Sequence, residues 1–195
     1  MAQKEYRDVV TPEFRLVFPS IFEPKSFDDG SEPKYQFIAV FPKDADLTEV
    51  RQLVKDTYNE AFPKGANNAH SPFREGNEKV DDWGEVFKDA TYIRCTSKRQ
   101  PSVVDSSKNA ITDADSVYSG CYARAVISAY SYDRTGNRGV SISFSAIQIT
   151  RHGKKLGFDS SKLGNKFSAI DATDAFSTND PFAAADAKNN EDPMW

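Results

Sequence analysis

Cysteine is scarce in this 195-residue chain: Cys95 and Cys121 stand far apart and without CxxC spacing. That excludes a disulfide framework and a cysteine-rich zinc site, and both thiols are expected to be reduced and buried in a cytosolic protein. Long apolar runs are also missing, so no transmembrane helix is expected. The opening MAQKEYRD has no apolar core of the kind a signal peptide needs. Histidine is limited to His70 and His152, neither in HExxH spacing, and GxSxG, Walker A and GxGxxG motifs are absent. No cofactor and no catalytic residue is therefore expected. The acid pairs Asp28-Asp29, Asp81-Asp82 and Asp113-x-Asp115 are the one foothold for a metal-dependent nuclease. Each lies in a turn-rich polar segment, where aspartate commonly caps or turns the chain.

What is present is one domain's worth of chain with aromatic residues at 12%, enough for a folded core. Hydrophobic residues reach only 38% and mean hydropathy is -0.62, so part of the chain is expected outside that core. The net charge of -4 conceals an asymmetry. Residues 171–195 hold six acids against one base, while residues 92–166 hold twelve bases against five acids. A basic stretch followed by an acidic end suits a polyanion-binding surface beside an acidic tail, although a solvated face with a solubilising tail has the same composition.

Glu13 to Phe18 alternates, with Phe14, Leu16 and Phe18 on one face, and predicts a strand. Residues 19–33, with three prolines and Gly30, predict a loop, and Lys34 to Phe41 a second strand. Asp46-Leu47-Thr48-Glu49 has capping-box spacing ahead of Val50, Leu53, Val54 and Tyr58, so a helix is expected over about 46–61, stopped by Pro63 and Gly65. Residues 63–82 predict a long loop anchored by Phe73. Strands follow at Ala90–Ser97, Ser102–Val104, Gly120–Tyr132 and Val140–Thr150, the last two joined by a hairpin turn at 134–139. Several strands with one intercalated helix predict a mainly β protein, a small closed barrel or a compact sandwich.

Splitting the strands into faces separates two chemistries. Over 121–132 the odd positions are Cys121, Ala123, Ala125, Ile127, Ala129 and Ser131, small and mostly apolar; the even ones include Tyr122, Arg124, Tyr130 and Tyr132. Over 92–98, Ile93 and Cys95 face one way, and Tyr92, Arg94, Thr96 and Lys98 the other. Tyr-x-Arg thus occurs twice on an expected outer face, with Lys98, Arg99, Arg134, Arg138, Arg151, Lys154 and Lys155 in the neighbouring turns. Singly, each tyrosine is better read as packing under a loop or helix. Together they fit single-stranded nucleic acid, whose phosphates need a positive groove and whose unstacked bases need flat rings. The candidate binding residues are Tyr92, Arg94, Lys98, Arg99, Tyr122, Arg124, Tyr130, Tyr132, Arg134, Arg138, Lys154 and Lys155.

Three stretches carry a resemblance: Ser97-Lys98-Arg99-Gln100-Pro101-Ser102-Val103-Val104-Asp105; Tyr118-Ser119-Gly120-Cys121-Tyr122-Ala123-Arg124 running on to Ala129-Tyr130-Ser131-Tyr132-Asp133 and the turn Thr135-Gly136-Asn137-Arg138-Gly139-Val140; and Ile147-Gln148-Ile149-Thr150-Arg151-His152-Gly153-Lys154-Lys155-Leu156-Gly157. In this order they resemble a tailed-phage family of single-stranded DNA-binding proteins, over about residues 10–160. The resemblance implies an OB-fold, here a five-stranded barrel with one helix over residues 1–170. It implies a non-enzymatic protein that coats single-stranded DNA without sequence preference during phage replication or recombination, in the cytoplasm of an infected bacterium. Residues 171–195 are expected as a flexible acidic tail. Its end, Asp192, Pro193, Met194 and Trp195, resembles the partner-docking tails of replication single-strand-binding proteins, so phage or host replication and recombination proteins are expected partners. The alternatives are a nuclease and a phage interaction module that does not bind DNA.

Overall fold

The computed structural model describes residues 7–26, 31–134 and 136–157. Its elements are β1 (Val9–Val10), β2 (Phe14–Lys25), β3 (Lys34–Phe41), α1 (Thr48–Ala61), β4 (Phe73–Glu75), α2 (Val80–Trp83), β5 (Thr91–Ser97), β6 (Ser102–Val104), β7 (Tyr122–Arg134) and β8 (Asn137–Arg151). Short 3-10 turns flank α2 at Gly76–Lys79 and Glu85–Phe87. Residues 158–195, which contain the expected domain boundary at 170 and the whole acidic segment, lie outside the described residues, as do Asp28, Asp29 and Thr135.

Pairing runs β7-β2-β3-β5-β8, and β8 returns to β7 through a long hairpin, so five strands close a ring of OB type. All junctions are antiparallel except β5–β8, which is parallel and touches in register at Cys95↔Ile142 alone. β2–β7 is also brief, at Phe14↔Ala123 and Arg15↔Tyr122. The ring is thus less regular than the five-stranded barrel expected from the sequence, and β1, β4 and β6 extend its edges.

The interior follows the alternation. Ala123, Ala125, Ile127 and Ala129 of β7 are buried, as are Val140, Ile142, Phe144, Ile147 and Ile149 of β8. The alanines leave room for rings from neighbouring strands: Phe37 stacks on Phe14 with centroids 5.5 Å apart and meets Phe144 edge-on at 4.7 Å. Helix α1 adds Val50 and Leu53 to this core. Asp46 accepts the Thr48 N–H at 3.0 Å, and no reciprocal bond from Glu49 closes the expected capping box. Phe73 packs partly buried against the core under the Arg51 guanidinium, 4.6 Å from its centroid.

Two expectations fail in β2. The strand continues through Pro19 and Pro24 to Lys25, where a loop was expected. Phe18 does not join Phe14 and Leu16 inside: it stands 51% exposed at φ +49°. The register explains both. Val17 pairs with Ile38 and Ser20 with Gln36, so three steps along β2 answer two along β3. That extra residue is a bulge, which inverts the facing of whatever precedes the next pair.

A second cluster lies outside the ring. Val17, Ile38, Val40, Ala90 and Tyr92 are covered by Phe87, with Val80, Trp83, Val86 and Leu156 around them. The cover is the segment from Gly76 to Ala90, and Gly76 sits where any Cβ would lie 2.1 Å from the Phe87 carbonyl oxygen.

Candidate nucleic-acid interface

The outer faces of β3 and β5 divide lengthwise. One half carries the covered cluster; the other is open, and two clefts meet there at Thr96. The first, about 560 Å³, is lined by Lys34, Lys98, Arg99, Tyr130 and Arg134 with Ser128, Ser143 and other polar groups. The second, about 550 Å³, is lined by Tyr92, Arg94 and Tyr132 together with Phe18, Arg74 and Trp83. Seven of the twelve sequence-selected residues therefore line these two adjoining clefts between β5 and the β7–β8 hairpin.

Its electrostatics are cationic but not uniformly free. Lys98 Nζ lies 2.6 Å from Glu32 Oε2, and the ammonium holds that carboxyl below its ordinary range. The Arg94 guanidinium donates to Gln36 Oε1 at 3.0 Å. Arg99 and Arg134 are exposed. Arg138, across the hairpin, lies 3.8 Å from Asp133.

The remaining candidates lie elsewhere. Tyr122, at the start of β7, is clamped between two guanidiniums, with Arg15 4.4 Å and Arg151 3.4 Å from its ring centroid. Those faces are occupied, and the Arg15 hydrogen bond lowers the phenol's pKa. Arg151 in turn donates to Glu13 at 2.8 Å. Arg124 donates to Gln148 Oε1 at 3.0 Å and borders a separate, smaller cleft with Val10 and Val104. Lys155 lies over Tyr118, 5.0 Å from its centroid, and the Lys154 carbonyl accepts from Arg15 at 2.9 Å. The two Tyr-x-Arg repeats thus do not form one surface.

Tyr92 requires a correction. Alternation places it on the outer face, as expected, but that face is roofed there. Its ring is 9% exposed and meets Phe87 edge-on at 5.5 Å and Trp83 at 5.9 Å. Tyr92→Ala is accordingly expected to cost roughly 2–3 kcal/mol of fold stability, by loss of buried area and a cavity under the cover. A thermal melt checks it; an unchanged midpoint would show the ring to be dispensable for packing.

Trp83, Phe18, Arg74 and Lys34 escaped the sequence reading. Trp83 and Arg74 sit in a segment without helical or strand period, so only their residue types could have marked them. Among the described residues no group of three or more His, Cys, Asp or Glu is placed to hold a metal. Asp113 serves as a turn former, accepting the Asp115 N–H at 3.0 Å. Asp192, Pro193, Met194 and Trp195 lie outside the described residues. No described helix is long and apolar enough to cross a membrane.

Comparison with known proteins agrees with this geometry. The family model described as the ssDNA-binding protein of Enterobacter phage Enc34 matches residues 7–177. Protein p50 of Acyrthosiphon pisum secondary endosymbiont phage 1 is 30% identical over 152 residues, 71% of this chain and 80% of the relative. The single-stranded DNA-binding protein from bacteriophage Enc34, solved in complex with ssDNA, has the same fold at a TM-score of 0.66 and 17% identity, covering 77% of this chain and 89% of that one. The single-stranded DNA binding protein gp2.5 of bacteriophage T7 gives 0.60 at 14% identity, covering 82% and 98%. With a family match over 7–177 and an open cationic, tyrosine-lined cleft on an OB-type ring, this chain belongs to the Enc34 family of phage single-stranded DNA-binding proteins.

Proposed function

We propose that this protein coats single-stranded DNA without sequence preference during phage DNA replication or recombination, in the cytoplasm of the infected cell. The strand runs along the two adjoining clefts between β5 and the β7–β8 hairpin. The observation that carries this is the junction of two clefts at Thr96, which gathers Lys34, Lys98, Arg99 and Arg134 beside Tyr130 and Tyr132. Cations there neutralise phosphates, and the half-buried tyrosines offer ring surface to bases. Serines on β7 and β8 add hydroxyls that bond phosphate or sugar oxygens without reading a base. No catalytic step is needed.

Titrating fluorescent oligo-dT at several salt concentrations tests this. Affinity should fall with a log–log slope of about -0.7 per phosphate neutralised, and duplex of equal length should bind far more weakly, its bases being already stacked. Equal affinity for the two would refute single-strand binding as the primary activity.

The acidic segment 171–195 is proposed to compete with DNA for the cleft. Removing it changes the net charge from -4 to +1. Deletion should tighten DNA binding, most at low salt where screening is weakest. Removing only Met194 and Trp195 leaves every acidic side chain in place and should leave affinity unchanged while abolishing capture of a replication or recombination protein. An undiminished partner yield would restrict the segment to an electrostatic role.

A further inference from the structure

We propose that the second cleft is a nucleobase pocket, in which Phe18 and Trp83 form an aromatic wall against which one base of the bound strand is held. This rests on the single-stranded DNA reading above and assigns a place within it that composition does not mark.

Phe18 is the telling residue. A bulky side chain at φ +49° occupies a backbone region that L residues rarely adopt, and such positions persist only where the surroundings impose them. Here the bulge imposes it, and the Phe18 N–H donates to Ser119 Oγ at 3.0 Å. The core does not require the ring: Val17 fills the outer cluster and Leu16 and Ile21 the inner one. The backbone instead turns a phenylalanine out, 51% exposed, into the border of a cleft.

The ring is not isolated there. It meets Trp83 edge-on, with centroids 5.7 Å apart and planes at 80°. Trp83 is half-buried, tilted against Phe87 at 5.3 Å, and overlain by Lys79 Nζ at 5.1 Å. The wall is therefore stiff, which limits the entropy lost when a ligand stacks on it. The same cleft is bordered by Arg74, Arg94 and Gln36. Gln36 Oε1 accepts from Arg94, so the amide leaves its NH₂ as a donor. An apolar aromatic wall with a rim of donors fits a flat ring with acceptors on its edge. Every nucleobase carries such an acceptor, so the pocket holds a base without selecting one.

The test uses the full chain with Trp195→Phe, which leaves Trp83 as the single tryptophan. The probes are oligo-dT and a strand of the same length made of abasic sites. Saturation with oligo-dT should quench or shift Trp83 emission, and the abasic strand should not. Phe18→Ala should weaken oligo-dT binding about tenfold with an unchanged salt slope and leave the abasic strand unaffected. Phe18→Tyr keeps the ring and should restore wild-type affinity. Phe18→Ala should lower the melting temperature only slightly, because the ring it removes is half-exposed and alanine bears the same backbone strain. If oligo-dT binds but Trp83 emission stays constant, or if Phe18→Ala binds both strands like the parent, the pocket holds no base and DNA binding by the basic cleft stands. If neither strand binds, the single-stranded DNA function fails and the pocket with it.

Discussion

Replacing Lys98, Arg99 and Arg134 together by alanine should nearly abolish DNA binding at low salt while leaving the fold intact. All three are exposed side chains on the first cleft, so their loss opens no cavity. If each neutralises one phosphate, the salt slope becomes shallower by about 2, at about 0.7 per contact. Referred to 1 M salt, where counterion release gives no gain, that corresponds to a roughly 500-fold loss at about 50 mM. The contributions are unequal. Lys98 must leave Glu32, 2.6 Å away, before it meets a phosphate. Glu32→Gln should therefore tighten binding, since it frees the ammonium and removes a carboxylate from the approach. Fluorescence anisotropy across a salt series measures both effects. A triple variant with the parental slope would show that the phosphates run elsewhere, with Arg15 and Arg151 at Tyr122 and Lys155 over Tyr118 as the next places to look.

The second large effect is on stability. Phe37→Ala should cost about 3–5 kcal/mol, the range for deleting a buried aromatic ring. Phe37 is 1% exposed and joins Phe14 to Phe144. It therefore links β2, β3 and β8 through the interior of the ring, where β3 and β8 are not paired to each other. For a chain of this size the melting temperature should fall by roughly 6–20 °C. Well below that midpoint, oligo-dT affinity should stay within a few-fold of the parent, because the ring faces inward under the cleft. A collapse of affinity in a variant that still melts cooperatively would instead make Phe37 a support of the binding surface.

The hairpin and the inner face were the most legible parts of the sequence. Strict alternation from Cys121 to Ala129 has one physical meaning, a strand with one small apolar face, and the structure buries those positions. Phe18 was not legible, because one extra residue in β2 reverses the parity and nothing in Phe14 to Phe18 announces it. Tyr92 shows a different failure. Its facing followed from alternation, but its burial depends on a roof of two 3-10 turns and a four-residue helix, too short to carry a period. Tyr122 resembles Tyr92 in sequence and differs in fate, since its cross-strand partners on β2 and β8 are Arg15 and Arg151, far from it in sequence. Charge was legible only as a regional excess; which cations share a cleft depends on ring closure.

The roof over half of β3 and β5 also has a mechanical consequence. From Ile38 to Val40 and at Tyr92, each strand is dry on both faces, with the ring interior on one side and the outer cluster on the other. From Lys34 to Gln36 the residues are only partly buried, and from Arg94 to Lys98 one face alone, that of Cys95 and Ser97, is dry. Amide hydrogens in the covered half should exchange through global unfolding, and those in the open half through local opening that costs far less. Protection should therefore change along a single strand within a few residues. The covered half acts as a clamp and the open half as a compliant lip, able to shift with an irregular polymer backbone while the ring beneath it keeps its register.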